Sequence, residues 1–473
     1  MSKEMSGETR LEHDLIGDKE VPKEVYYGVQ TLRAMENFEI SGSYLYDYPE
    51  FIYAFAEVKE AAALANKDLG ILNSEIADAI VSACQEVKTG KYNDQFVVDM
   101  VQGGAGTSTN MNANEVIANI ALEILGHEKG EYNYCHPNNH VNLSQSTNDA
   151  YPTALKIGLH RSITSLEKEL KQLIKSFKKK SKEFKSVIKM GRTQLQDAVP
   201  MTLGQEFKAF AVNLAEEIDR LKQNKKLLLE VNMGATAIGT GINSDPDYTP
   251  LCIEHLSGIT KLKIKAAGNM IEATSDTGVF IMNSSAIKRL AVKLSKISND
   301  LRLLSSGPRT GFNEINLPAV QPGSSIMPGK VNPVIPEVVN QIAFRVIGND
   351  LTVTIASEAG QLQLNVMEPI IGYSILENIE MLKNGMHTLR TRCIDGITAN
   401  EERCKDLVMN SIGLITALNP YLGYEVSTRL AKKAIESNKG VYELVLEEGL
   451  MDEEKLLEIL KPENMIKPRK FEN

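Results

Sequence analysis

Apolar residues recur every three or four positions through most of the middle of the chain. The pattern covers roughly residues 151–188, 202–231, 276–304 and 336–366. Its most regular part is a heptad-like stripe in the third stretch, formed by Ile287, Leu290, Leu294, Ile297, Leu301 and Leu304. This spacing predicts four helices of about eight turns each. Helices of that length pack side by side as a bundle with shallow crossing angles.

The apolar stripes of these helices exceed what one bundle of this size has to bury, which indicates that neighbouring chains cover the remainder. Stretches with a period of two and hairpin turns are scarce, so little sheet is expected and the fold class is mainly α. Shorter helical patterns flank the long ones. We therefore expect an N-terminal helical domain over residues 1–145, a central long-helix bundle domain over 146–396 and a small C-terminal helical domain over 397–473.

The composition is that of a globular protein with a large core. Of 473 residues 42% are hydrophobic, and 52 basic residues against 61 acidic ones leave a net charge of −9. Because the charges are dispersed, no extended basic surface for nucleic acid is expected. The exception is KSFKKKSKEFK at residues 175–185, where apolar positions such as Phe177 and Phe184 continue at helical spacing. This pattern predicts the solvated face of a helix.

The five cysteines are widely spaced, odd in number and without a Cys-x-x-Cys pair. This usage is typical of a reducing compartment and argues against a disulfide or zinc framework. The first residues, MSKEMSGETRLEHD, are polar and lack the apolar segment of a signal peptide. No apolar run approaches the roughly 18 residues that span a bilayer. We expect a cytoplasmic protein that does not enter a membrane.

Residues 323–333 read GSSIMPGKVNP, a sequence too rich in Gly and Pro for a regular helix or strand. A P-loop would place four residues between its glycines and a hydroxyl residue after the lysine, whereas five residues separate Gly323 from Gly329 and Val331 follows Lys330. A nucleophile elbow would need Gly-x-Ser-x-Gly, which this stretch lacks. The remaining alternatives are a mobile loop that brings a reactive group to a substrate and an ordinary surface connection.

Three further polar stretches stand before helical patterns. They read SQSTND at 144–149, GGAGTST at 103–109 and GRTQLQ at 191–196. An exposed helix start presents unpaired N–H groups and a positive dipole end to anions, and these stretches add hydroxyl and amide groups. Capping a helix needs only one such residue. Together the clusters indicate a site for a small carboxylate, whereas each alone is equally consistent with an ordinary capped loop.

The seven histidines form no His-Glu-x-x-His motif, and none lies inside these stretches or the 323–333 loop. His136 and His140 stand close to the 144–149 cluster. A loop histidine is more often solvated than catalytic. A reactive serine of this chain would therefore need activation by something other than an imidazole.

GSSIMPGKVNP is the signature of the fumarase and aspartase superfamily of lyases. Six further segments resemble its aspartate ammonia-lyases along nearly the whole chain: YYGVQTLRAMENF, QGGAGTSTNMNANE, HPNNHVNLSQSTNDAYPT, MGRTQLQDAVPMTLGQEF, GPRTGFNEINLP and GQLQLNVMEP. The resemblance implies an all-α, three-domain homotetramer with a twenty-helix core, in which each active site is assembled from three chains. It also implies reversible deamination of L-aspartate to fumarate and ammonia. No cofactor is required for this chemistry, and activation by a divalent cation is left open.

By the same resemblance, Ser324 is the base that takes a proton from the substrate Cβ. The carboxylate that receives the developing negative charge is held by residues that match Thr107, Ser146, Thr147 and Ser325. The other carboxylate and the amine are held by residues that match Asn148, Thr193, Gln194, Lys330 and Asn332. Donors preorganised around an aci-carboxylate dianion are the main requirement of such a reaction.

Hydration of fumarate by class II fumarases is the competing activity, since those enzymes share most of these motifs. The class II fumarases resemble one another in having a His directly after the Thr of a Gly-Arg-Thr motif. That His pairs with a Glu, which matches Glu337 of this chain. This chain has Gln194 at the histidine position, and an amide cannot form that pair. Argininosuccinate and adenylosuccinate lyases share only the loop. A lens-type structural protein is the alternative from another class, and the intact Ser324, Lys330 and Thr107 argue against it.

Overall fold

The computed structural model describes residues 7–468. Its α-helices, in chain order, are α1 (Val29–Asn37), α2 (Pro49–Asp68), α3 (Ser74–Val87), α4 (Thr107–Ile124), α5 (Thr147–Glu183), α6 (Leu203–Lys225), α7 (Tyr248–Thr260), α8 (Met270–Ser275), α9 (Gly278–Leu304), α10 (Val334–Glu358), α11 (Glu368–Arg392), α12 (Glu401–Met409), α13 (Ile415–Leu422), α14 (Tyr424–Ser437), α15 (Val441–Glu447), α16 (Glu453–Ile459) and α17 (Pro462–Met465). A π-helical turn, Pro137–Val141, precedes α5.

Short strands within residues 7–468 form four two-stranded sheets. The strands are β1 (Thr9–Asp14), β2 (Gly17–Pro22), β3 (Ile188–Thr193), β4 (Gln196–Thr202), β5 (Glu230–Val231), β6 (Lys265–Ala266), β7 (Ile315–Asn316) and β8 (Thr398–Ala399). β1–β2, β3–β4 and β7–β8 pair antiparallel, and β5–β6 pair in parallel. This small sheet content confirms the mainly α fold class.

The long helices α5, α6, α9 and α10 correspond to the four stretches with apolar spacing. All six residues of the heptad-like stripe on α9 are buried, as that spacing requires. α11 is a fifth long helix that the sequence analysis did not predict. Its buried residues Ile371, Ile375, Ile379 and Leu382 stand three and four positions apart, so the signal for this helix was present in the sequence.

Two groups of segments each form a compact unit. The first unit comprises residues 7–167, 219–289 and 345–381. In its core the rings of Phe51 and Phe55 on α2 contact the ring of Tyr151 on α5, with ring centroids 5.5 and 6.0 Å from that of Tyr151. This contact holds the start of α5 against α2.

The second unit comprises residues 168–218, 290–344 and 382–468. Aromatic contacts join the second half of α5 to α6, with Phe177 and Phe184 packed against Phe207. A separate apolar cluster connects the short C-terminal helices to β3 and includes Met190, Val408, Leu414, Leu430 and Leu444. The division of the chain at 145/146 and 396/397 into three domains stays a prediction.

Candidate active site

The start of α4 carries Thr107 as its first residue. Gly104, Ala105 and Gly106 before it have positive φ angles of 94°, 55° and 90°, a conformation that costs Gly little and other residues of order 1–3 kcal/mol. A Cβ on Gly106 would overlap the ring of Tyr151, so only glycine fits there. The sharp turn leaves Thr107 exposed, with Oγ1 donating to Gly104 O at 2.8 Å.

The start of α5 is built around the buried carboxylate of Asp149. It accepts hydrogen bonds from the backbone N–H groups of Ser146 (2.9 Å), Gly234 (3.2 Å) and Thr236 (2.9 Å). Burial raises the pKa of Asp149 to about 6, and these N–H donors oppose the rise because they favour the charged form. Asp149 therefore fixes Ser146 and Thr147 against the 234–236 turn.

Asn148 is anchored to the same part of the first unit. Its Nδ2 donates to Ala237 O at 2.7 Å, and Asn232 Nδ2 donates to Asn148 O at 3.0 Å. The side-chain amide keeps a second N–H and its Oδ1 acceptor, so it can bind a ligand without giving up the contact with Ala237.

A lysine that the sequence analysis did not select connects α2 to the starts of α4 and α5. Lys59 on α2 is fully buried, and its Nζ donates to Asn110 Oδ1 (2.7 Å), Asn142 Oδ1 (2.9 Å) and Gln145 Oε1 (2.9 Å). Asn110, in the first turn of α4, in turn donates from Nδ2 to Thr147 Oγ1 at 3.2 Å. The structure thereby links the starts of α4 and α5 through one hydrogen-bonded network, which reaches the predicted residue Thr147 and not the side chain of Thr107.

The charge of Lys59 is set by two opposing influences. Burial lowers the pKa of Lys59 to about 7, while the nearby Asp149 carboxylate raises it. The three amide oxygens match the three N–H donors of an ammonium and favour the charged form. The sequence did contain a signal, a lysine within the alanine-rich run VKEAAALA, because lysine is almost never fully buried unless it is paired.

The 323–333 loop contains neither helix nor strand, as its composition predicts. Gly323 N donates to Lys330 O at 2.7 Å, and Asn332 Nδ2 donates to Gly323 O at 2.8 Å, so these bonds close the base of the loop. Ser324 Oγ accepts hydrogen bonds from the N–H groups of Ile326 (3.2 Å) and Met327 (3.1 Å). Two donors on one hydroxyl oxygen favour its negatively charged form.

Ser325 and Lys330 project from this loop towards solvent, and both are exposed. Within residues 7–468 the Lys330 ammonium has neither a carboxylate nor a hydrogen-bond partner, which leaves its charge available to an anion. Asn332 is only partly exposed, because its side-chain amide is held by the Gly323 carbonyl. Of the loop residues predicted to bind substrate, Ser325 and Lys330 are therefore the unengaged ones.

The stretch at 191–196 forms the tip of the β3–β4 hairpin rather than a loop leading directly into a helix. Thr193 pairs with Gln196, and the two residues between them, Gln194 and Leu195, both have positive φ, 54° and 64°. Such a two-residue turn normally contains Gly or Asn. All four tip residues are exposed, so Thr193 and Gln194 point away from the second unit.

Buried ion pairs fix the base of this hairpin. Arg192 Nη1 contacts Glu314 Oε1 at 2.6 Å, and Lys189 Nζ lies 2.8 Å from Glu314 Oε2. The Arg192 guanidinium also lies 4.0 Å from the centroid of the Phe312 ring. Arg192 therefore positions Thr193 and Gln194 through Glu314. Within the described residues no hydrogen bond joins the hairpin tip to the 323–333 loop.

The two histidines near the 144–149 cluster act as backbone caps. His136 Nδ1 accepts from Asn138 N at 3.0 Å, and His140 Nδ1 accepts from His136 N at 2.8 Å. Burial lowers the pKa of both imidazoles, which suits the neutral ring that accepting these bonds requires. Within residues 7–468 no group of three His, Cys, Asp or Glu side chains is arranged to hold a metal ion.

The chain belongs to the lyase family: the family model described as Lyase matches residues 17–348, and the model described as Fumarase C C-terminus matches residues 414–467. Among the helices of residues 7–468, none is long and apolar enough to cross a membrane.

Three similar proteins illustrate the relationship. Aspartate ammonia-lyase from Pseudomonas aeruginosa is 63% identical over 462 residues, which are 98% of each chain. A crystal structure of fumarate lyase:delta crystallin from Brucella melitensis bound to cobalt has 54% identity and a TM-score of 0.95, covering 98% of this chain and 100% of that one. The class II fumarase from Schistosoma mansoni has 36% identity and a TM-score of 0.89, covering 96% and 98%.

Proposed function

We propose that this protein is an aspartate ammonia-lyase, which converts L-aspartate reversibly to fumarate and ammonia. The observation that carries the proposal is the similarity over nearly the full length to curated aspartate ammonia-lyases, which are 56–63% identical to this chain. The chemistry then has to be performed by the hydroxyl, amide and ammonium groups described above.

In the proposed mechanism Ser324 Oγ takes a proton from the substrate Cβ. A serine is a weak base unless its alkoxide is stabilised, and the Ile326 and Met327 N–H groups already point at Oγ. The Lys330 charge on the same loop acts in the same direction. Closure of the loop over a substrate would exclude water and strengthen all three interactions.

The electron pair released at Cβ moves into the adjacent carboxylate and forms an aci-carboxylate dianion. Thr107, Ser146, Thr147 and Ser325 are proposed to donate to its oxygens, where preorganised donors lower the barrier most. The positive charge of Lys59 and the dipoles of α4 and α5 favour the same anion. The C–N bond at Cα then breaks, ammonia leaves and fumarate remains.

The second carboxylate and the amine of the substrate are assigned to Asn148, Thr193, Gln194, Lys330 and Asn332. The substrate carboxylate receives the electron pair itself, so we propose that no cofactor is required and that a divalent cation, if it acts, is an activator. We further propose a cytoplasmic enzyme.

A homotetramer with active sites assembled from three chains belongs to the proposal. It is supported by an unburied apolar stripe on α10, formed by Phe344, Ile347, Leu351 and Ile355 at helical spacing. Phe344 is 64% and Leu351 60% exposed in the single chain. Contiguous exposed apolar surface of this kind marks a protein interface.

Hydration of fumarate is the second candidate, because the solved class II fumarase has the same fold and Glu337 is retained in the first turn of α10. Gln194 distinguishes the two activities. An amide on the exposed hairpin tip can bind an ammonium or a carboxylate, but it cannot take a proton from water as an imidazole can.

The test offers L-aspartate and L-malate separately to the purified protein and follows fumarate by its ultraviolet absorbance. Only L-aspartate should give fumarate, and Ser324→Ala should abolish the signal while the fold and oligomer stay intact, because an exposed loop contributes little packing energy. Ser437→Ala, at an exposed serine of α14, is the matched control. A Ser324→Ala rate above about one tenth of wild type, an effect of only about 1.4 kcal/mol, would exclude Ser324 as the base.

A further inference from the structure

The second half of α5 presents a row of lysines on one face, which we call the lysine stripe. It consists of Lys168, Lys171, Lys175, Lys178, Lys179 and Lys182, all exposed. At 3.6 residues per turn these positions fall within an arc of about 100° and extend over about 21 Å. The stripe stands out because the chain as a whole has a net charge of −9.

The carboxylates on the same helix do not neutralise the stripe. Glu169 is paired with Arg390 of α11 at 3.0 Å, and Glu183 is paired with the buried Lys180 at 3.0 Å. Within residues 7–468 no stripe lysine has an ion pair or a hydrogen bond of its own. Like charges three or four positions apart destabilise a helix, so a bound anion would relieve repulsion along the whole stripe.

Compensation of the helix dipole does not account for this arrangement. Cations stabilise the C-terminal end of a helix, but the effect is confined to the last turn. α5 ends at Glu183, so only Lys182 and its nearest neighbours lie in that range. Lys168, Lys171 and Lys175 lie two or more turns earlier.

The stripe borders a concave surface. A cleft of about 530 Å³ is lined by Gln172, Lys175, Ser176, Lys178, Lys179, Lys182 and Arg390. Ser176 and Gln172 add neutral hydrogen-bonding groups between the charges. A cleft of this volume with positively charged walls fits a compact ligand that carries several negative charges, rather than a single carboxylate.

The surroundings of the stripe favour one class of polyanion. Of the described residues, no large apolar side chain between Tyr134 and Leu195 is exposed, whereas a helix that binds a membrane surface inserts an apolar face. The aromatic residues of the stretch, Phe177 and Phe184, are buried and offer no platform for stacking nucleic-acid bases. Charge alone is left to select the ligand.

We propose that the lysine stripe binds condensed phosphate, meaning a chain of inorganic polyphosphate or the triphosphate of a nucleotide. Burying these lysines in an interface would cost free energy unless a neighbouring chain supplied anionic partners, so we expect the stripe to stay accessible in an oligomer. The proposal concerns a surface outside the residues assigned to catalysis and does not depend on the proposed function.

The experiment measures binding of sodium tripolyphosphate and of ATP to the full-length protein by calorimetry at low and raised ionic strength. The stripe variant combines Lys175→Gln, Lys178→Gln, Lys179→Gln and Lys182→Gln. A matched control removes the same charge at exposed positions elsewhere, with Lys263→Gln, Lys405→Gln, Lys455→Gln and Lys467→Gln. We expect wild type and control to bind, the stripe variant to lose about tenfold or more in affinity, and salt to weaken binding.

A double variant, Lys178→Gln with Lys179→Gln, should show a loss of affinity between those of the control and the quadruple variant. It keeps the test valid if the quadruple variant folds poorly. Equal affinities for tripolyphosphate and ATP would identify the phosphate chain as the recognised group, and tighter ATP binding would identify a nucleotide. Fumarate release from L-aspartate should change less than about twofold in all variants, which separates this test from that of the proposed function.

No binding by the wild type, or an equal loss in the stripe and control variants, would overturn the proposal. Short duplex DNA and vesicles with anionic lipid serve as competing polyanions. If either bound more tightly than tripolyphosphate with the same dependence on the stripe lysines, condensed phosphate would be the wrong ligand class.

Discussion

Gln194 is the residue on which we propose that the choice between ammonia elimination and water addition depends. It lies at the tip of the β3–β4 hairpin with a φ of 54°, followed by Leu195 at 64°. Holding two residues other than glycine in this conformation costs free energy, which the Lys189 and Arg192 ion pairs to Glu314 at the hairpin base offset. The strained tip therefore has a stable support for an exposed amide.

Gln194→His should retain deamination of L-aspartate, since an imidazole can still reach the substrate amine. It should not create a fumarase by itself, because we propose that the remaining contacts to the substrate suit an ammonium rather than a hydroxyl group and a water molecule. Malate formation from fumarate in ammonia-free buffer checks both forms, with Gln196→His, two positions further along the same exposed hairpin tip, as control. Substantial hydration by the wild-type protein would reassign it to the fumarases.

Lys59 is the second residue with a specific expected effect. Lys59→Met would leave Asn110 Oδ1 and Gln145 Oε1 without their donor, whereas Asn142 Oδ1 keeps the Asn110 and Asn114 amides. We expect the change to free Asn110 from the position in which it contacts Thr147. A misplaced donor lowers the rate of the chemical step, by up to about a hundredfold for a shift of about 1 Å. We expect kcat to fall by about ten- to a hundredfold with a smaller change in KM.

The control for this change is Lys67→Met, which removes a partly exposed lysine of the same helix that is paired with Asp78. Circular dichroism has to show that both variants are folded, since unsatisfied buried acceptors cost about 1–3 kcal/mol each. An unaltered kcat in folded Lys59→Met would mean that Lys59 only supports packing.

Among the elements, α11 carries a titratable group at its start that sets a pH dependence of stability. Glu368 is buried, and desolvation raises its pKa to about 8, against the opposing attraction of Lys156. The unfolded chain ionises at the ordinary value near 4.5. Between about pH 4.5 and about pH 8 the folded state therefore binds one proton more than the unfolded chain. The contribution of Glu368 to the free energy of unfolding is fully present below about pH 4.5 and is lost as the pH rises to about 8.

Glu368→Gln keeps the shape of the protonated acid and removes this loss. The gain in Tm of the variant over wild type should grow from about pH 5 to about pH 9. Lys156 is the cation that acts on Glu368, and burial lowers its pKa as well. The Glu230, Asp276 and Glu272 carboxylates also attract Lys156, so the neutral variant removes one of several anionic neighbours, and does so only at high pH. Glu358→Gln, at an exposed position, should show a constant difference. A constant difference for Glu368→Gln too would contradict the assignment.

At the scale of the whole molecule, the proposed active sites require several chains. Ser324→Ala and Thr147→Val subunits should each be nearly inactive, because one lacks the proposed base and the other a proposed donor to the dianion. After joint dissociation and reassembly, some sites combine an intact Ser324 with an intact Thr147. We expect fumarate release from L-aspartate to recover partly in the mixture and not in either variant reassembled alone.

Native mass spectrometry has to demonstrate mixed tetramers in that sample. Mixed tetramers without recovered activity would place Ser324 and Thr147 of one chain in the same site. The exposed stripe on α10, with Phe344 and Leu351, is the surface that should become buried on reassembly.

The sequence alone determined the class of fold and the nature of the candidate loop. The apolar residues of α5, α6, α9 and α10 recur three and four positions apart. Such local periodicity can be recognised in the sequence without a structure. The same spacing is present in α11. The Gly and Pro content of 323–333 excluded regular structure for an equally local reason. The family resemblance supplied the roles of Ser324 and its neighbours.

Tertiary structure decided what these residues contact. Lys59 meets Asn142 and Gln145, more than eighty residues away, and no local pattern specifies a partner at that separation. The hairpin at 188–202 was also hidden, because its pairing follows from the packing of β3 against the C-terminal cluster rather than from strict alternation. Burial and long-range hydrogen bonds are properties of the packed chain, so they fix which polar groups remain available to a substrate only once the helices have assembled.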